Sequence, residues 1–321
     1  MKNVVTIGGG TGTFVVLTGL RCHKNVALSA IVTEADDGGS TGHLRDAYGF
    51  LPPGDARQAL VALAEDGNVL RDLFAYRFTK GDMKGHNLGN LFLTALTDLL
   101  GSDTKALEEA SRILRVCGTV IPASEQPATL KAIYADGVER IGEHVISEPD
   151  VTRARITVLS LTEPLPLTPS AREAIEHADL IILGPGSLYS STIAALLPDG
   201  MKEALRASKA RLVYVSNLFT KAGQTDGFSV QDHVREVERY AGRKIDDLFI
   251  HEGAFPDDVL ALYKKEGEYP ITDDAESGTL VHRLSLASIQ TIVPTENDPL
   301  RRSFIRHDSH KLAHAILSIL P

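Results

Sequence analysis

Glycine and threonine residues form a compact cluster near the start of the chain. The cluster runs Gly8, Gly9, Gly10, Thr11, Gly12 and Thr13, directly after an apolar run at residues 4–7. Glycines let the backbone approach a phosphate closely, and N–H groups at the start of a helix attract its charge. Thr13 stands where the third glycine of Gly-x-Gly-x-x-Gly would be, and the segment lacks the lysine of a P-loop. The cluster predicts nucleotide binding, with a ligand-free strand–helix turn as the simpler alternative.

A second cluster carries paired carboxylates. It runs Asp36, Asp37, Gly38, Gly39 and Ser40, after a predicted strand at residues 26–33. An acid at this point receives ribose hydroxyls in Rossmann-like folds, and a carboxylate pair also binds Mg²⁺ beside a diphosphate. The alternative is a turn in which aspartates bond their own backbone. Because this loop should lie beside the glycine cluster, we expect a ligand site, with Asp36 and Asp37 as candidate Mg²⁺ ligands.

Three further segments add polar candidates. Asp55 and Gln58 have capping-box spacing, so Arg57 would project from the first helical turn towards phosphate or a carboxylate. Glycine-rich or polar loops also follow two predicted buried strands, at residues 179–183 and 212–215, and Ser187 is placed to cap a helix. The candidate ligand residues here are Arg57, Asn87, Gly184, Gly186, Ser187, Leu188, Asn217 and Thr220. Since ligands gather outside the carboxyl ends of parallel strands, these loops predict one composite pocket.

The sequence indicates no covalent nucleophile. It contains no Cys-x-x-Cys pair, and no catalytic residue is assigned. His307, His310 and His314 have helical spacing, but a solvated basic helix explains them better than a metal site. Any reaction would depend on a bound metal and positioned phosphates.

The elements that position these residues alternate between short apolar runs and helical patterns. This alternation predicts an α/β fold with a largely parallel, Rossmann-like sheet in three layers. We expect one domain over residues 1–321, with a helix-rich excursion at about residues 45–150 and a closing helix from about residue 309 to residue 320.

Composition and charge narrow the partners. The 321 residues include 33 Lys and Arg against 42 Asp and Glu, a net charge of −9 that argues against nucleic-acid binding. Residues 299–321 hold four basic residues and one acidic, so this tail is +3 and the rest is −12. Its Arg301 and Arg306 are candidate phosphate ligands that would fold over the pocket.

Cysteine usage and hydropathy bear on location. Two cysteines, Cys22 and Cys117, are too few for a disulfide framework in a chain of this length, which favours a reducing compartment. No apolar run approaches the roughly 20 residues of a membrane helix. We therefore expect a cytoplasmic protein, and base rates favour a homo-oligomer.

Motifs along almost the whole chain resemble the YvcK-type gluconeogenesis factor family. They lie, in order, at residues 8–12, 35–40, 52–57, 85–91, 184–189, 225–228, 305–308 and 311–313. That family is similar to CofD, the phospholactate transferase of deazaflavin-coenzyme biosynthesis. The likeness to CofD breaks at Gly186-Ser187-Leu188, where CofD enzymes carry a Ser-Asn-Pro turn.

The resemblance implies a function and a ligand. It implies a cytoplasmic bacterial protein that is needed for normal cell shape on gluconeogenic carbon sources and that binds a nucleotide of the UDP-N-acetylglucosamine type. The sequence leaves NAD open as the nucleotide and a cell-wall or metabolic protein as the partner. Two readings follow: a nucleotide-binding regulator, or a Mg²⁺-dependent transferase that moves a phosphoryl-linked group from a nucleotide diphosphate.

Overall fold

A seven-stranded parallel sheet forms the centre of the protein. The computed structural model describes residues 1–38, 41–42, 44, 48, 50–65, 67, 69–150, 152–275, 280–288 and 304–320. The strands are β1 (Lys2–Ile7), β2 (Val26–Val32), β3 (Thr119–Pro122), β4 (Leu130–Tyr134), β5 (Glu139–Ile141), β6 (Ile156–Leu161), β7 (Leu180–Leu183), β8 (Arg211–Val215), β9 (Asp247–His251) and β10 (Leu280–Leu284). The main sheet has the order β10-β9-β8-β7-β1-β2-β3, and every neighbouring pair is parallel. The predicted α/β class is confirmed.

Helices cover both faces of this sheet. They are α1 (Gly10–Leu20), α2 (Pro53–Leu63), α3 (Val69–Ala75), α4 (Leu88–Leu100), α5 (Asp103–Leu114), α6 (Glu143–Ser147), α7 (Pro169–Glu176), α8 (Met201–Ala207), α9 (Val230–Ala241), α10 (Asp257–Lys265) and α11 (Ser309–Ser318). Neighbouring strand residues face opposite sides, so Val4 packs with α1, α2, α5 and α11, while Val5 packs with α7, α8 and α9. Burial on both faces explains why the central strands are continuously apolar.

The excursion between β2 and β6 has two parts. Helices α2 to α5 form the first part, and the helical segment ends at Leu114. The chain then adds β3 to the edge of the main sheet and builds a three-stranded antiparallel sheet in the order β5-β4-β6. The later part of the excursion predicted at about residues 45–150 thus contains the strands at residues 119–122, 130–134 and 139–141, and its helix-rich part ends before them.

The strand order reverses at β1. This strand pairs with β2 on one side and with β7 on the other. A doubly wound sheet opens a crevice outside the carboxyl ends of its strands at such a point. The loops after β1, β2, β7 and β8 all leave the sheet at this edge, which positions the sequence motifs together.

The opposite, amino-terminal edge carries a disulfide bond. Cys22 follows α1, Cys117 precedes β3, and the two are bonded with their Cα atoms 5.2 Å apart. The bond brackets 95 residues that include α2 to α5. Sequence reasoning did not foresee this pairing, so cysteine usage no longer supports a reducing compartment. Among the described residues, no helix has the length and apolar character to cross a membrane.

Candidate functional site

The glycine cluster turns the chain from β1 into α1. Gly10 adopts a left-handed conformation with φ of 68°, which favours glycine. The N–H of Gly10 donates to Oδ1 of Asp55 at 2.9 Å, and a Cβ on Gly9 would overlap the same carboxyl group. Asp55 is therefore not the cap of α2, whose N-cap is Pro52. Its carboxyl group instead lies at the N-terminus of α1, where a phosphate was expected.

The glycine cluster also meets the loop after β7. A Cβ on Gly12 would overlap the backbone carbonyl of Pro185, so glycine is required for this close approach. Gly186 lies on the other side of this contact. A Cβ added to Gly186 would meet its nearest neighbours at ordinary van der Waals distances. The glycine cluster and the loop after β7 are thus in direct contact at the switch point, as a composite pocket requires.

Asp36 belongs to the same crevice. Its Oδ1 accepts a hydrogen bond from the N–H of Gly38 at 3.0 Å, and Thr41 also bonds its carboxyl group. A Cβ on Gly54 would overlap Oδ2 of Asp36, which shows how closely the first turn of α2 packs on it. The N–H of Gly38 and the missing side chain of Gly54 therefore let Asp36 lie close to Asp55.

Asp37 has a different environment from Asp36. Its Oδ2 accepts from the N–H of Glu143 at 3.0 Å, and its Oδ1 accepts from the N–H of His144 at 2.7 Å. Asp37 thereby ties the start of α6 to the loop after β2. The two aspartates have different hydrogen-bond partners, and Asp37 positions α6, but its charge still interacts with that of Asp36.

Glu143 completes what we call the acidic centre, formed by Asp36, Asp55 and Glu143. Desolvation raises the pKa of Asp55 to about 7, and the neighbouring Asp36 adds to the rise. Desolvation likewise raises the pKa of Glu143 to about 7, although a hydrogen bond from Ser147 lowers it in part. Desolvation also raises the pKa of Asp36. The charges of the three groups interact pairwise. Such a cluster favours protons or a cation.

A polar chain supports the acidic centre from the excursion. Arg57 Nε donates to Oδ1 of Asn90 at 2.9 Å, and Nδ2 of Asn90 donates to Oγ1 of Thr41 at 3.3 Å. The Arg57 charge lowers the pKa of both Asp36 and Asp55, though less than desolvation raises them. Asn87, a predicted ligand residue, is buried and caps α4 by accepting from the N–H of Asn90. Arg57 therefore lies near the acidic centre. Asn87 stabilises the start of α4, which carries Asn90, the hydrogen-bond partner of Arg57.

The loops after β7 and β8 form a neutral counterpart, which we call the neutral half and define by Ser187, Asn217 and Gln224. Ser187 Oγ donates to Oε1 of Gln224 at 3.1 Å rather than capping a helix. Asn217 Nδ2 donates to the carbonyl of Gly186 at 2.6 Å. Gln224 Nε2 reaches Oγ of Ser147 at 3.5 Å, and that hydroxyl donates to Glu143 at 2.6 Å. Hydrogen bonds thus connect the neutral half to the acidic centre.

Two of the predicted ligand residues make structural contacts, and three others fall outside the part of the chain that the structure describes. Leu188 is only 1% exposed and packs in the core under α7 to α9, so it is a structural residue. The hydroxyl of Thr220 accepts from the N–H of Tyr269 at 3.0 Å and fixes a loop. Gly39, Ser40 and Arg301 lie outside the described residues.

The tail returns to the carboxyl edge of the sheet. His307 is buried and hydrogen-bonds the backbone of Ser216, directly after β8, which places the adjoining Arg306 at this edge. Desolvation lowers the pKa of His307 to about 3, so it is neutral at physiological pH. Helix α11 begins at Ser309 with Asp308 as its cap, so His307 is not on the helix that carries His310 and His314.

The acidic centre offers the donor set that Mg²⁺ prefers. Carboxylate oxygens are hard ligands, and Mg²⁺ usually takes one or two of them together with phosphate oxygens and water. In the part of the chain that the structure describes, no three His, Cys, Asp or Glu side chains converge on one metal position. Asp36 and Asp55 are the carboxylates that would hold Mg²⁺ if it bound here together with a phosphate ligand.

Sequence reasoning missed the carboxyl groups that matter most here. Asp55 was interpreted as a helix cap, since capping-box spacing gives no hint of the distant Gly10 N–H. Glu143 lies in no motif, and only the long-range bonds from α6 to Asp37 bring it to the crevice. Gln224 lies within a polar segment that the sequence does mark, so its place could have been anticipated.

Fold and site together define a doubly wound α/β protein with a polar crevice at its topological switch point. The sequence pattern of the family described as 2-phospho-L-lactate transferase CofD matches residues 4–291, and the chain belongs to this family. It is 41% identical over 318 residues to a putative gluconeogenesis factor of Thermotoga maritima, covering 98% of each chain. It is 39% identical over 321 residues to the gluconeogenesis factor of Bacillus subtilis, covering 99% of this chain and 98% of the relative.

A solved structure gives the same fold. A UPF0052 family protein from Bacillus halodurans superposes with a TM-score of 0.90 at 37% identity, and the match covers 98% of both chains. The predicted resemblance to gluconeogenesis factors and to CofD is thereby confirmed at the level of family and fold.

Proposed function

We propose that this protein is a cytoplasmic gluconeogenesis factor that binds a nucleotide diphosphate, such as UDP-N-acetylglucosamine or a dinucleotide, across the switch-point crevice. The contact of the glycine cluster with the loop after β7, directly beside the acidic centre, carries this proposal. Relatives at about 40% identity with the name gluconeogenesis factor support the physiological role. Ligand occupancy would control a partner in wall synthesis and so maintain cell shape on gluconeogenic carbon sources.

The charge pattern suggests how the ligand lies. Backbone N–H groups of the glycine cluster and the Arg306 side chain supply positive potential for phosphate oxygens. Asp55 lies on the same helix N-terminus, so phosphate and this carboxylate share the position only if a cation lies between them. Mg²⁺ bound by Asp36 and Asp55 would neutralise both, which makes the proposed binding metal-dependent.

Isothermal titration calorimetry tests the proposal. Folded protein is titrated with UDP-N-acetylglucosamine and with NAD, each in the presence and absence of Mg²⁺. We expect saturable binding of one nucleotide, with affinity reduced at least about tenfold in Arg306→Ala, the typical effect of losing one charge-assisted bond. Lys311→Ala is the matched control, since it removes a nearby charge from α11. Absence of heat with both nucleotides would refute the proposal.

The acidic centre favours a second function, a Mg²⁺-dependent transfer of a phosphoryl-linked group from a nucleotide diphosphate. Three interacting carboxyl groups beside a phosphate-type loop resemble the metal-assisted arrangement such a reaction uses. Chromatography for released nucleoside monophosphate, with and without candidate acceptors, distinguishes the two functions. Release that requires Mg²⁺ supports the transferase, and tight binding without release supports the regulator.

A further inference from the structure

A small cavity lies between α2, α4, α5 and Glu34, which follows β2. Its volume is about 20 Å³, enough for one water-sized occupant. Four oxygen-bearing side chains line it, from Glu34, Thr94, Thr97 and Asp103. The remaining wall is largely apolar, so these oxygens dominate the electrostatics of the cavity.

The polar groups in this wall are acceptors when Glu34 is ionised. Desolvation by burial raises the pKa of the Glu34 carboxyl group well above its usual range, so a cation would compete with a proton there. Glu34 is only 2% exposed, and no described group donates to its buried Oε1. The hydroxyl of Thr94 already donates to the carbonyl of Asn90 at 2.9 Å, and that of Thr97 to Oδ1 of Asp103 at 3.2 Å. Both threonines therefore have only lone pairs left to offer.

Two backbone donors in the wall are committed to other acceptors, and two wall residues have no N–H. The N–H of Leu51 bonds Asp103, and the N–H of Ala106 donates to the carbonyl of Ser102 at 3.0 Å. Pro52 and Pro53 have no N–H at all. A buried carboxyl oxygen without a donor is costly, and a pocket of acceptors is satisfied by a cation.

We propose that this cavity binds a dehydrated monovalent cation, K⁺, Na⁺ or ammonium, through Glu34, Asp103 and the hydroxyl oxygens of Thr94 and Thr97. A divalent ion suits the site less well, because Mg²⁺ keeps several waters and Ca²⁺ takes six to eight oxygens, whereas here four side chains in a largely apolar wall supply the oxygens. The Glu34 charge also interacts with that of Asp55, so the cation would offset a negative charge next to the acidic centre. The proposal is independent of any nucleotide ligand.

Thermal unfolding of the ligand-free protein tests the site. Melting temperatures are compared in KCl, NaCl, NH₄Cl and choline chloride at equal ionic strength, because choline is too large to enter. We expect at least one small cation to raise the melting temperature saturably, by about 2 °C or more. In Glu34→Gln the new amide supplies the missing donor, so the melting temperature should become independent of the cation.

Two further variants separate binding from general salt effects. Glu65→Gln removes an exposed carboxylate and should keep the wild-type response to the cation. Thr97→Val removes one ligand oxygen with little change of volume, and it should shift the response to higher cation concentrations, so the test remains if Glu34→Gln does not fold. Equal melting temperatures in all four salts, or a Glu34→Gln variant that keeps the response, would overturn the proposal. An anomalous Rb⁺ peak in the cavity of crystals grown in RbCl would support it, and a water there would overturn it.

Discussion

The acidic centre and the neutral half lie at the same sheet edge but differ in how their polar groups are used. Asp36, Asp55 and Glu143 crowd three carboxyl groups together and have raised pKa values as a result. Ser187, Asn217 and Gln224 instead satisfy one another and the backbone through neutral hydrogen bonds. We infer that the acidic centre takes the metal-bound phosphates, and that the neutral half takes the uncharged part of the ligand.

Removal of the disulfide should have the largest effect on the free energy of unfolding. The bond brackets the segment that carries Asp36 and Asp55 but not the neutral half. The chain-entropy account gives a cross-link with a sequence separation of 95 residues a stabilisation of about 4.7 kcal/mol. Reduction should therefore lower the free energy of unfolding in urea. The Cys22→Ser, Cys117→Ser double variant should resemble the reduced protein and ignore reductant, and an unchanged urea midpoint on reduction would contradict this prediction.

Gly12→Ala should break the contact between the glycine cluster, which borders the acidic centre, and the loop after β7, which belongs to the side of the neutral half. The new Cβ overlaps the carbonyl of Pro185, and a backbone clash has no flexible side chain to absorb it. We expect a loss of about 3 kcal/mol of unfolding free energy. Gly186→Ala, across the same contact, meets only neighbours at 3.4 Å or more and serves as the control. Equal losses in the two variants would show that the close approach is not rigid.

The pH dependence of stability should arise in the acidic centre. The pKa of Asp55 rises from 3.8 to about 7 on folding, so between these values the folded protein holds more protons than the unfolded chain. The Asp55 contribution to stability therefore falls as pH rises through this window, by about 2 kcal/mol between about pH 5.5 and about pH 7.5. Glu143, whose pKa is also about 7, adds a further fall, whereas buried neutral His307 adds a rise, so the contribution of Asp55 is the difference between the wild type and Asp55→Asn. In urea unfolding of ligand-free protein, the wild type should lose more stability over this window than Asp55→Asn, and equal slopes would be inconsistent with the proposed crowding.

Asn217→Ala should have the smallest effect. It removes the hydrogen bond to Gly186 and the one accepted from the hydroxyl of Tyr214 at 3.2 Å. We expect a loss of about 1 kcal/mol, because neutral hydrogen bonds contribute modestly. The pH slope should stay as in the wild type, since no charge is involved. A changed pH dependence of the unfolding free energy would mean that Asn217 influences the protonation of the carboxyl groups.

The sequence predicts the fold well and the site only in part. Apolar runs and glycine punctuation predict the parallel strands β1, β2, β7 and β8 and the loop motifs after them, because these signals are local, whereas β3 and β10 are not predicted. The role of Asp55 depends on a bond to Gly10, 45 residues away, and Glu143 reaches the crevice only through Asp37, 106 residues away. Leu188 shows the converse error: it lies in a motif, yet core packing determines its position.

A crystal structure with Mn²⁺ and UDP-N-acetylglucosamine tests the central claim most directly. The account predicts an anomalous metal peak between Asp36 and Asp55, with the diphosphate against the glycine cluster and the uncharged portion of the ligand at Ser187 and Asn217. A nucleotide bound away from the switch point, or a diphosphate on the glycine cluster with no metal at the acidic centre, would contradict it.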